Sequence, residues 1–421
     1  MRSTIHCVRH GAFLSLVFAL TLGICSRAQA QGTLKVLHNF GGPGDGYAPD
    51  GALIFDNEGN LYGNATNGPG SGCGGPDGCG AVFKLHPNSN GTWAEDVIHY
   101  FFGADGANPV GGLVFDRRGT LYGNTYQGGA ADFGTVFRMT QMSGGNWSLS
   151  TLYSFALGSS GVFPVGGVSF DRAGRLYGTA SEGGPYTDGV VFDLGPLTVF
   201  NWYEIVAHAF GAPGDGALPY SSLIFDANGN AYGTTDQGGV SNAGTVFKLA
   251  PNRLTFGSTE TVLYSFTGRI CGQSPDGAGP VAGVTFDSAG NLYGTTECGG
   301  AYGRGTVFKL TRNSGGTWTE SVIYAFQGGN DGANPIASVI FDGAGNLYGT
   351  TAYGGRLTDG TIFKLTPSHD SWTETTLYTF SYSDGASPGS VIFDGAGNLY
   401  GTTSSGGLYG PAGGVAFEFT P

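Results

Sequence analysis

The stretch FDGAGNLYGTT occurs twice without change, at residues 341–351 and 393–403 of this 421-residue chain. Its Gly343, Gly345 and Gly349 have a G-x-G-x-x-x-G spacing that, taken alone, would be compatible with a phosphate-binding loop. Such a loop lies before a helix whose N-terminus points at the anion. Here a strand-like segment follows, and related segments recur along the whole chain. The stretch therefore predicts a repeated turn between two strands.

Four sequence markers recur together at intervals of 52–61 residues. They are the dipeptide F-D, a tyrosine in L/A-Y-G, a phenylalanine in G-x-x-F, and a Y/H-x-F-like ending of the last segment. A fixed period of this kind indicates a repeat architecture. Seven units are marked by the tyrosines Tyr62, Tyr122, Tyr177, Tyr232, Tyr293, Tyr348 and Tyr400.

Each unit contains four short segments rich in β-branched and aromatic residues, which are bounded by Gly, Pro, Asn and Asp. This pattern predicts four strands, A to D, and no segment shows the 3.6-residue period of a helix. Four-stranded units at this period are typical of a β-propeller. The last unit lacks strand D, whereas residues 34–40 have strand D character and precede the first strand A. The sequence therefore predicts an all-β, seven-bladed propeller that the N-terminal strand closes in a 3+1 arrangement.

The motif F-D-x-x-G-N-L-Y-G-T-T, followed by G-G and then G-T-V-F-K-L, resembles the GloVer repeat of choice-of-anchor tandem-repeat proteins. The resemblance covers all seven units and nearly all of residues 34–421. It implies an exported bacterial protein, and it implies neither a reaction nor a catalytic residue. Many members end in a C-terminal sorting anchor, whereas this sequence reaches Pro421 directly after strand C.

The first thirty residues predict a secretory signal peptide that is cleaved near Ala30, and residues 31–421 form the propeller. Arg2 and Arg9 precede a short apolar stretch, residues 12–24, and small residues follow. Cleavage would leave 15 basic and 31 acidic residues, a net charge of −16. A chain with this negative charge repels phosphate backbones and anionic membranes. We therefore expect a secreted or periplasmic monomer without a membrane span and without a nucleic acid partner.

Four cysteines follow the predicted cleavage site: Cys73, Cys79, Cys271 and Cys298. An even number in an exported chain favours disulfides, and no C-x-x-C metal spacing is present. Cys73 and Cys79 would close one long loop in the first unit. Cys271 and Cys298 would lie on one face of the propeller and could form the second bridge.

The D–A and B–C loops share one face of a propeller, which we call the loop face, and they carry the longer and more variable sequences. Variable loops on a rigid scaffold are the usual place for binding residues. Aromatic side chains mixed with amides and acids could bind sugars, and Arg304 and Arg356 could clamp a carboxylate. A solvated polar rim is the alternative. The candidate residues are Tyr126, Gln127, Glu182, Tyr186, Asp236, Glu297, Tyr302, Arg304, Tyr353 and Arg356.

The D–A loops repeat D-G-x-x-P, with aspartates that could form a Ca²⁺ ring or, as the sequence favours, simple turns. They are Asp45, Asp105, Asp215, Asp276, Asp331 and Asp384, with Ser160 in the third unit. No metal or other cofactor is predicted. Strand A begins with pairs of small residues, such as Gly111-Gly112 and Ser221-Ser222, which offer no ligand cluster at the centre.

The sequence thus predicts a binding module for an extracellular or envelope glycan or protein. A carbohydrate-active hydrolase or lyase that uses acids and tyrosines of the same face, such as Glu182 and Glu297, is the first alternative. A structural surface module without a small ligand is the second.

Overall fold

A computed structural model describes residues 32–68, 73, 78–158, 160–196, 202–252, 257–268, 272, 274–369 and 371–421. The segment Gly32–Pro421 forms one compact unit. The predicted signal peptide, residues 1–30, lies outside the described residues.

The described strands form seven radial antiparallel sheets, or blades, so the predicted seven-bladed propeller is confirmed. The first strand, β1 (Thr33–Asn39), belongs to blade 7. The strands of blades 1 and 2 are β2 (Tyr47–Phe55), β3 (Leu61–Asn67), β4 (Ala81–Pro87), β5 (Trp93–Tyr100), β6 (Ala107–Phe115), β7 (Leu121–Gln127), β8 (Thr135–Gln141) and β9 (Trp147–Ser154).

In blades 3 to 6 the innermost strand, A, is divided or shortened. Blades 3 and 4 contain β10 (Gly161–Pro164), β11 (Ser169–Phe170), β12 (Leu176–Gly183), β13 (Val190–Pro196), β14 (Trp202–Ala209), β15 (Gly216–Ala217), β16 (Ile224–Phe225), β17 (Ala231–Thr235), β18 (Gln237–Gly238), β19 (Thr245–Pro251) and β20 (Ser258–Ser265). Blades 5 and 6 contain β21 (Thr285–Phe286), β22 (Leu292–Thr296), β23 (Thr306–Arg312), β24 (Trp318–Ala325), β25 (Ile340–Phe341), β26 (Leu347–Thr351), β27 (Thr361–Ser368) and β28 (Ser371–Thr379).

Blade 7 is completed by the first described strand, as the sequence predicted. Its other elements are β29 (Ala386–Phe393), β30 (Leu399–Ser405), the 3₁₀ turn η1 (Gly410–Ala412) and β31 (Val415–Thr420). Strand β1 pairs with β31, so that Leu34 lies opposite Phe419 and Val36 opposite Phe417. This pairing closes the ring. No helix in the described residues is long and apolar enough to cross a membrane.

The repeated aromatic residues form the contacts between blades. At each of the seven interfaces in the described structure, the Phe after strand D packs on the strand C Phe of the next blade. The ring centroids lie 4.7–5.3 Å apart. The tyrosine of L/A-Y-G also contacts the strand A Phe of the next blade, as Tyr62 contacts Phe115 at 5.2 Å. Each marker residue therefore recurs because it makes the same contact with a neighbouring blade in every unit.

The DGAGN segment is a turn between strands A and B, as its sequence predicted. Asp342 Oδ1 accepts hydrogen bonds from the backbone N–H groups of Ala344 and Asn346, at 2.9 and 2.8 Å. Gly345 has φ of +84°, which suits a residue without a Cβ atom. The acceptor that holds this turn is a side-chain carboxylate, and the turn lies on the face opposite the loop face.

Small residues at the centre let the innermost strands approach one another. A Cβ atom added to Gly51 would lie 2.1 Å from the Gly111 carbonyl oxygen, and one added to Gly111 would lie 2.6 Å from Gly167 N. The strand A backbones of neighbouring blades are therefore almost in contact. They surround a central channel of about 340 Å³.

Candidate functional site

The loop face contains a backbone conformation that every blade repeats, which we call the backbone step. In each blade the residue before the D–A proline has a positive φ, and its N–H donates to a carbonyl just before strand C of the preceding blade. Phe163, with φ of 59°, donates in this way to the Phe133 carbonyl oxygen at 2.9 Å. Bulky residues rarely adopt this conformation. The step is found at Ala48, Asn108, Phe163, Leu218, Gly279, Asn334 and Ser387.

In six of the seven blades the residue after the D–A proline lines the central channel at its loop-face end, which we call the mouth. Most of these residues are small or aliphatic, but Tyr220 is large and 37% exposed. Tyr220 thus introduces an aromatic ring and a hydroxyl group at the mouth. The mouth residues that line the channel are Asp50, Val165, Tyr220, Val281, Ile336 and Gly389.

Two of the predicted acids flank the mouth in neighbouring blades. Asp236 and Glu297 directly follow strand B of blades 4 and 5. The Glu297 N–H donates to the Gly279 carbonyl oxygen at 2.9 Å, and a Cβ atom added to Gly279 would lie 3.1 Å from Asp236 Oδ1. Both acids therefore lie beside the same backbone segment of the D–A loop.

The mouth is an acid-rich and partly desolvated environment. Burial raises the pKa of Asp236 above its ordinary value, and burial and the charge of Asp236 together raise the pKa of Glu297. Burial also raises the pKa of Tyr220, to which the charges of Asp236 and Glu182 contribute. Asp236 and Glu297 therefore lie close enough to interact electrostatically. Asp236 and Glu182 each lie close enough to influence Tyr220. Such a surface accepts hydrogen bonds and repels anions.

An aromatic cluster lies in the same part of the loop face. Tyr126 stacks on Phe163 with ring centroids 5.0 Å apart and an interplanar angle of 27°, and Phe133 contacts Phe163 edge-on at 5.4 Å. All three rings are half-buried. Tyr126 also belongs to the groups that influence Tyr220 electrostatically. Tyr126 is therefore part of the same region as Asp236.

The other candidate residues lie farther out or are freely exposed. Tyr186 packs over Gly211, and Arg304 packs over Gly328, both in the outer part of a D–A loop. Gly211 is the first residue after the strand D Phe, and Gly328 is the second. Tyr302 and Tyr353 are 52% and 58% exposed. Gln127 and Arg356 are also exposed, and the carboxylate clamp of Arg304 and Arg356 stays a prediction.

Sequence reasoning missed Tyr220 and Phe163, which lie in D–A loops, and Phe133, which lies in the B–C loop of blade 2. A signal was present at two of these positions. Tyr220 and Phe163 flank D–A prolines at sites where most units have an aliphatic or small residue. A comparison of the units position by position would have identified both.

The predicted bridge between Cys73 and Cys79 is confirmed, with Cα atoms 5.6 Å apart. Cys298 is also disulfide-bonded. Its predicted partner, Cys271, lies outside the described residues.

The repeated D–A aspartates hold their loops against strand D. Each one accepts a hydrogen bond from a histidine or tyrosine two residues before the strand D Phe, at 2.7–3.0 Å. Asp105 and Asp384 also accept a bond from the N–H directly after that Phe. The six carboxylates are thus held one per blade, and they form no shared ring among the described residues.

One family model matches the sequence in two overlapping regions. Residues 71–278 and 271–421 match the family model described as the Gloeobacter/Verrucomicrobia repeat. Among curated proteins, none matches the chain.

Solved structures of similar shape have low sequence identity. A gluconolactonase from Xanthomonas campestris is 12% identical, with a TM-score of 0.45, covering 93% of this chain and 90% of its own. A putative 6-phosphogluconolactonase from Bacteroides uniformis is 13% identical, with a TM-score of 0.48, covering 79% and 87%. PorZ, a surface component of the type-IX secretion system of Porphyromonas gingivalis, is 14% identical, with a TM-score of 0.50. The match covers 90% of this chain and 47% of PorZ, and it shows the fold alone.

Proposed function

The chain belongs to the Gloeobacter/Verrucomicrobia repeat family, and we propose that it is an exported module that binds a neutral glycan at the mouth of the loop face. The observation that carries this proposal is the position of Tyr220, which lies within electrostatic range both of Tyr126, stacked on Phe163, and of the carboxylate of Asp236.

Aromatic rings and carboxylates together match the two surfaces of a sugar. The apolar C–H face of a pyranose packs on an aromatic ring, and its hydroxyl groups donate hydrogen bonds to carboxylate oxygens. Tyr126 is already ordered against Phe163, so little side-chain entropy is lost when a ligand binds. Tyr220 adds a hydroxyl group at the mouth.

The charge of the site favours an uncharged ligand. Asp236, Glu297 and Glu182 contribute only negative charge to this part of the face, and the whole chain has a formal net charge of −13. A uronic acid or a sulfated sugar would be repelled, whereas a neutral polysaccharide would not.

Export is part of the same proposal. The disulfide between Cys73 and Cys79 supports an oxidising compartment, where such bonds persist. Extracellular and envelope glycans are present in such compartments.

The test is a glycan array followed by calorimetry with the best neutral oligosaccharide. We expect Tyr126→Ala and Asp236→Asn each to weaken binding about tenfold, since each removes about 1–2 kcal/mol of contact. Asn57→Ala is the matched control, because Asn57 is exposed in an A–B turn on the opposite face. Lack of binding to every neutral glycan, or equal affinity in all three variants, would contradict the proposal and favour a structural module.

Hydrolysis is not part of the proposal. The predicted pair of Glu182 and Glu297 comes from blades 3 and 5, and Glu182 is exposed to solvent. A general acid usually lies in a closed pocket that keeps it protonated.

A further inference from the structure

A cluster of possible metal ligands lies at the interface between blades 7 and 1, on the outer side of the ring. His38 Nε2 lies 2.9 Å from Asp45 Oδ2 and 3.7 Å from Glu95 Oε2. The Asp45 side chain is 8% exposed and that of Glu95 is 11% exposed. One atom from each residue lies within 4.8 Å of the others.

Three separate elements bring these residues together. His38 follows an irregularity in β1, since the pairing with β31 shifts between Val36 and His38. A bulge of this kind changes the direction of the following side chain. Asp45 comes from the D–A loop that follows β1, and Glu95 comes from the outer strand β5 of blade 1.

Two oxygen atoms of this cluster have no partner inside the protein. Asp45 Oδ1 and Glu95 Oε1 are both buried and accept no hydrogen bond. A buried polar atom without a protein partner is costly, so a folded protein satisfies such an atom with a water molecule or an ion. One cation between the two carboxylates would give both buried oxygen atoms a partner.

The same set recurs between blades 3 and 4. His208 Nε2 lies 3.0 Å from Asp215 Oδ2, and Glu260 of the next blade completes the group, with all ligand atoms within 4.8 Å. Glu260 Oε1 is again buried without a hydrogen-bond partner. The histidines and the aspartates of the two clusters are 170 residues apart and the glutamates 165, so the clusters occupy equivalent places in different blades.

We propose that His38, Asp45 and Glu95, and likewise His208, Asp215 and Glu260, each bind one divalent transition metal ion, with Zn²⁺ as the best fit. One imidazole nitrogen and two carboxylate oxygens form a mixed N/O ligand set that suits Zn²⁺, whereas Ca²⁺ prefers six or more oxygens. Water completes the coordination. The ion links two blades and neutralises the paired carboxylates.

A third histidine provides an internal comparison. His99 Nε2 lies 2.8 Å from Asp105 Oδ2, but Leu149 occupies the position that corresponds to Glu95. This interface between blades 1 and 2 therefore has two of the three ligands. At the interface between blades 4 and 5, Tyr264 donates to Asp276 in place of a histidine. Among the described residues, the complete set is present at two interfaces.

The experiment is Zn²⁺ titration of metal-free protein by calorimetry, with elemental analysis after dialysis. We expect two equivalents of Zn²⁺ per chain and a melting temperature that rises with Zn²⁺ concentration. Glu95→Leu and Glu260→Leu should each remove one equivalent, and the double variant should bind none. These variants copy the arrangement that already exists around Leu149, so we expect them to fold.

His99→Gln is the matched control, because it changes the incomplete site, and it should leave two equivalents bound. The proposal is overturned if the metal-free protein binds no Zn²⁺, or if the double variant still binds two equivalents at other acidic groups.

Discussion

Phe40, which directly follows β1, packs against Phe83 of β4 with ring centroids 4.7 Å apart. The first described strand thus pairs with β31 in blade 7, and the residue after it packs into blade 1. Both rings are fully buried. The contact therefore joins the two blades at the point where the ring closes.

The first prediction is that Phe40→Ala destabilises the whole propeller. Loss of a buried phenylalanine leaves a cavity and costs about 3–5 kcal/mol. Urea denaturation followed by tryptophan fluorescence measures the change. Phe102→Ala is the control, since Phe102 is 53% exposed, and it should cost less than about 1 kcal/mol. A similar loss in both variants would contradict the closing role of Phe40.

The second prediction concerns the centre of the ring. Gly111→Ala would place a Cβ atom 2.6 Å from Gly167 N, at a φ of +68° that alanine rarely adopts. The atom that the new Cβ would meet belongs to the backbone of the neighbouring strand, which cannot move aside. We therefore expect the free energy of unfolding to fall by roughly 2–4 kcal/mol.

Gly343→Ala is the matched control for this variant. Gly343 has no neighbouring atom within 4 Å of an added Cβ. Its replacement should change stability by less than about 1 kcal/mol. If Gly111→Ala proves equally mild, the innermost strands are not packed as tightly as the structure indicates.

The fold could be predicted because its determinants are periodic. The Tyr of L/A-Y-G and the Phe of F-D are needed at every inter-blade contact, as Tyr62 and Phe115 illustrate. The interruption of strand A in blades 3 to 6 could not be predicted. Pairs of small residues occur at the same place in blades whose strand A is continuous and in blades whose strand A is divided, as Gly111-Gly112 and Ser221-Ser222 show, so the local sequence does not distinguish the two.

The candidate site was predicted less completely, since it depends on contacts between blades. Tyr126, Asp236 and Glu297 could be predicted, because they lie in or next to the variable B–C loops. Phe163 was missed because its position depends on a positive φ before Pro164, which few bulky residues adopt. The clusters with His38 and His208 were missed because Glu95 and Glu260 come from the following blade.

The third prediction concerns the bridged loop of blade 1. Replacement of both Cys73 and Cys79 by alanine releases a loop with a sequence separation of 6. The entropy gained by the unfolded chain should lower the free energy of unfolding by about 2 kcal/mol. We also expect proteases to cleave faster within this loop. Urea denaturation and timed proteolysis without reductant measure both effects. Unchanged stability together with unchanged cleavage would show that the bridge does not restrain the loop.

The last prediction concerns pH and the buried carboxyl of Glu320, which lies near Asp276 between blades 4 and 5. Burial, with a contribution from the charge of Asp276, raises the pKa of Glu320 to about 8. The folded protein therefore prefers the protonated form more strongly than the unfolded chain does. The associated stability is complete below the unfolded pKa of about 4.3 and is lost as the pH rises towards 8.

Glu320→Gln keeps the shape of the side chain but cannot lose a proton. Urea denaturation at several pH values between 5 and 9 should therefore show a smaller loss of stability with pH in this variant than in the wild type. Glu58→Gln is the control, because Glu58 is exposed in an A–B turn, and it should keep the wild-type dependence. An unchanged pH dependence in Glu320→Gln would mean that Glu320 is already ionised in the folded propeller, with a cation or water at its buried oxygen.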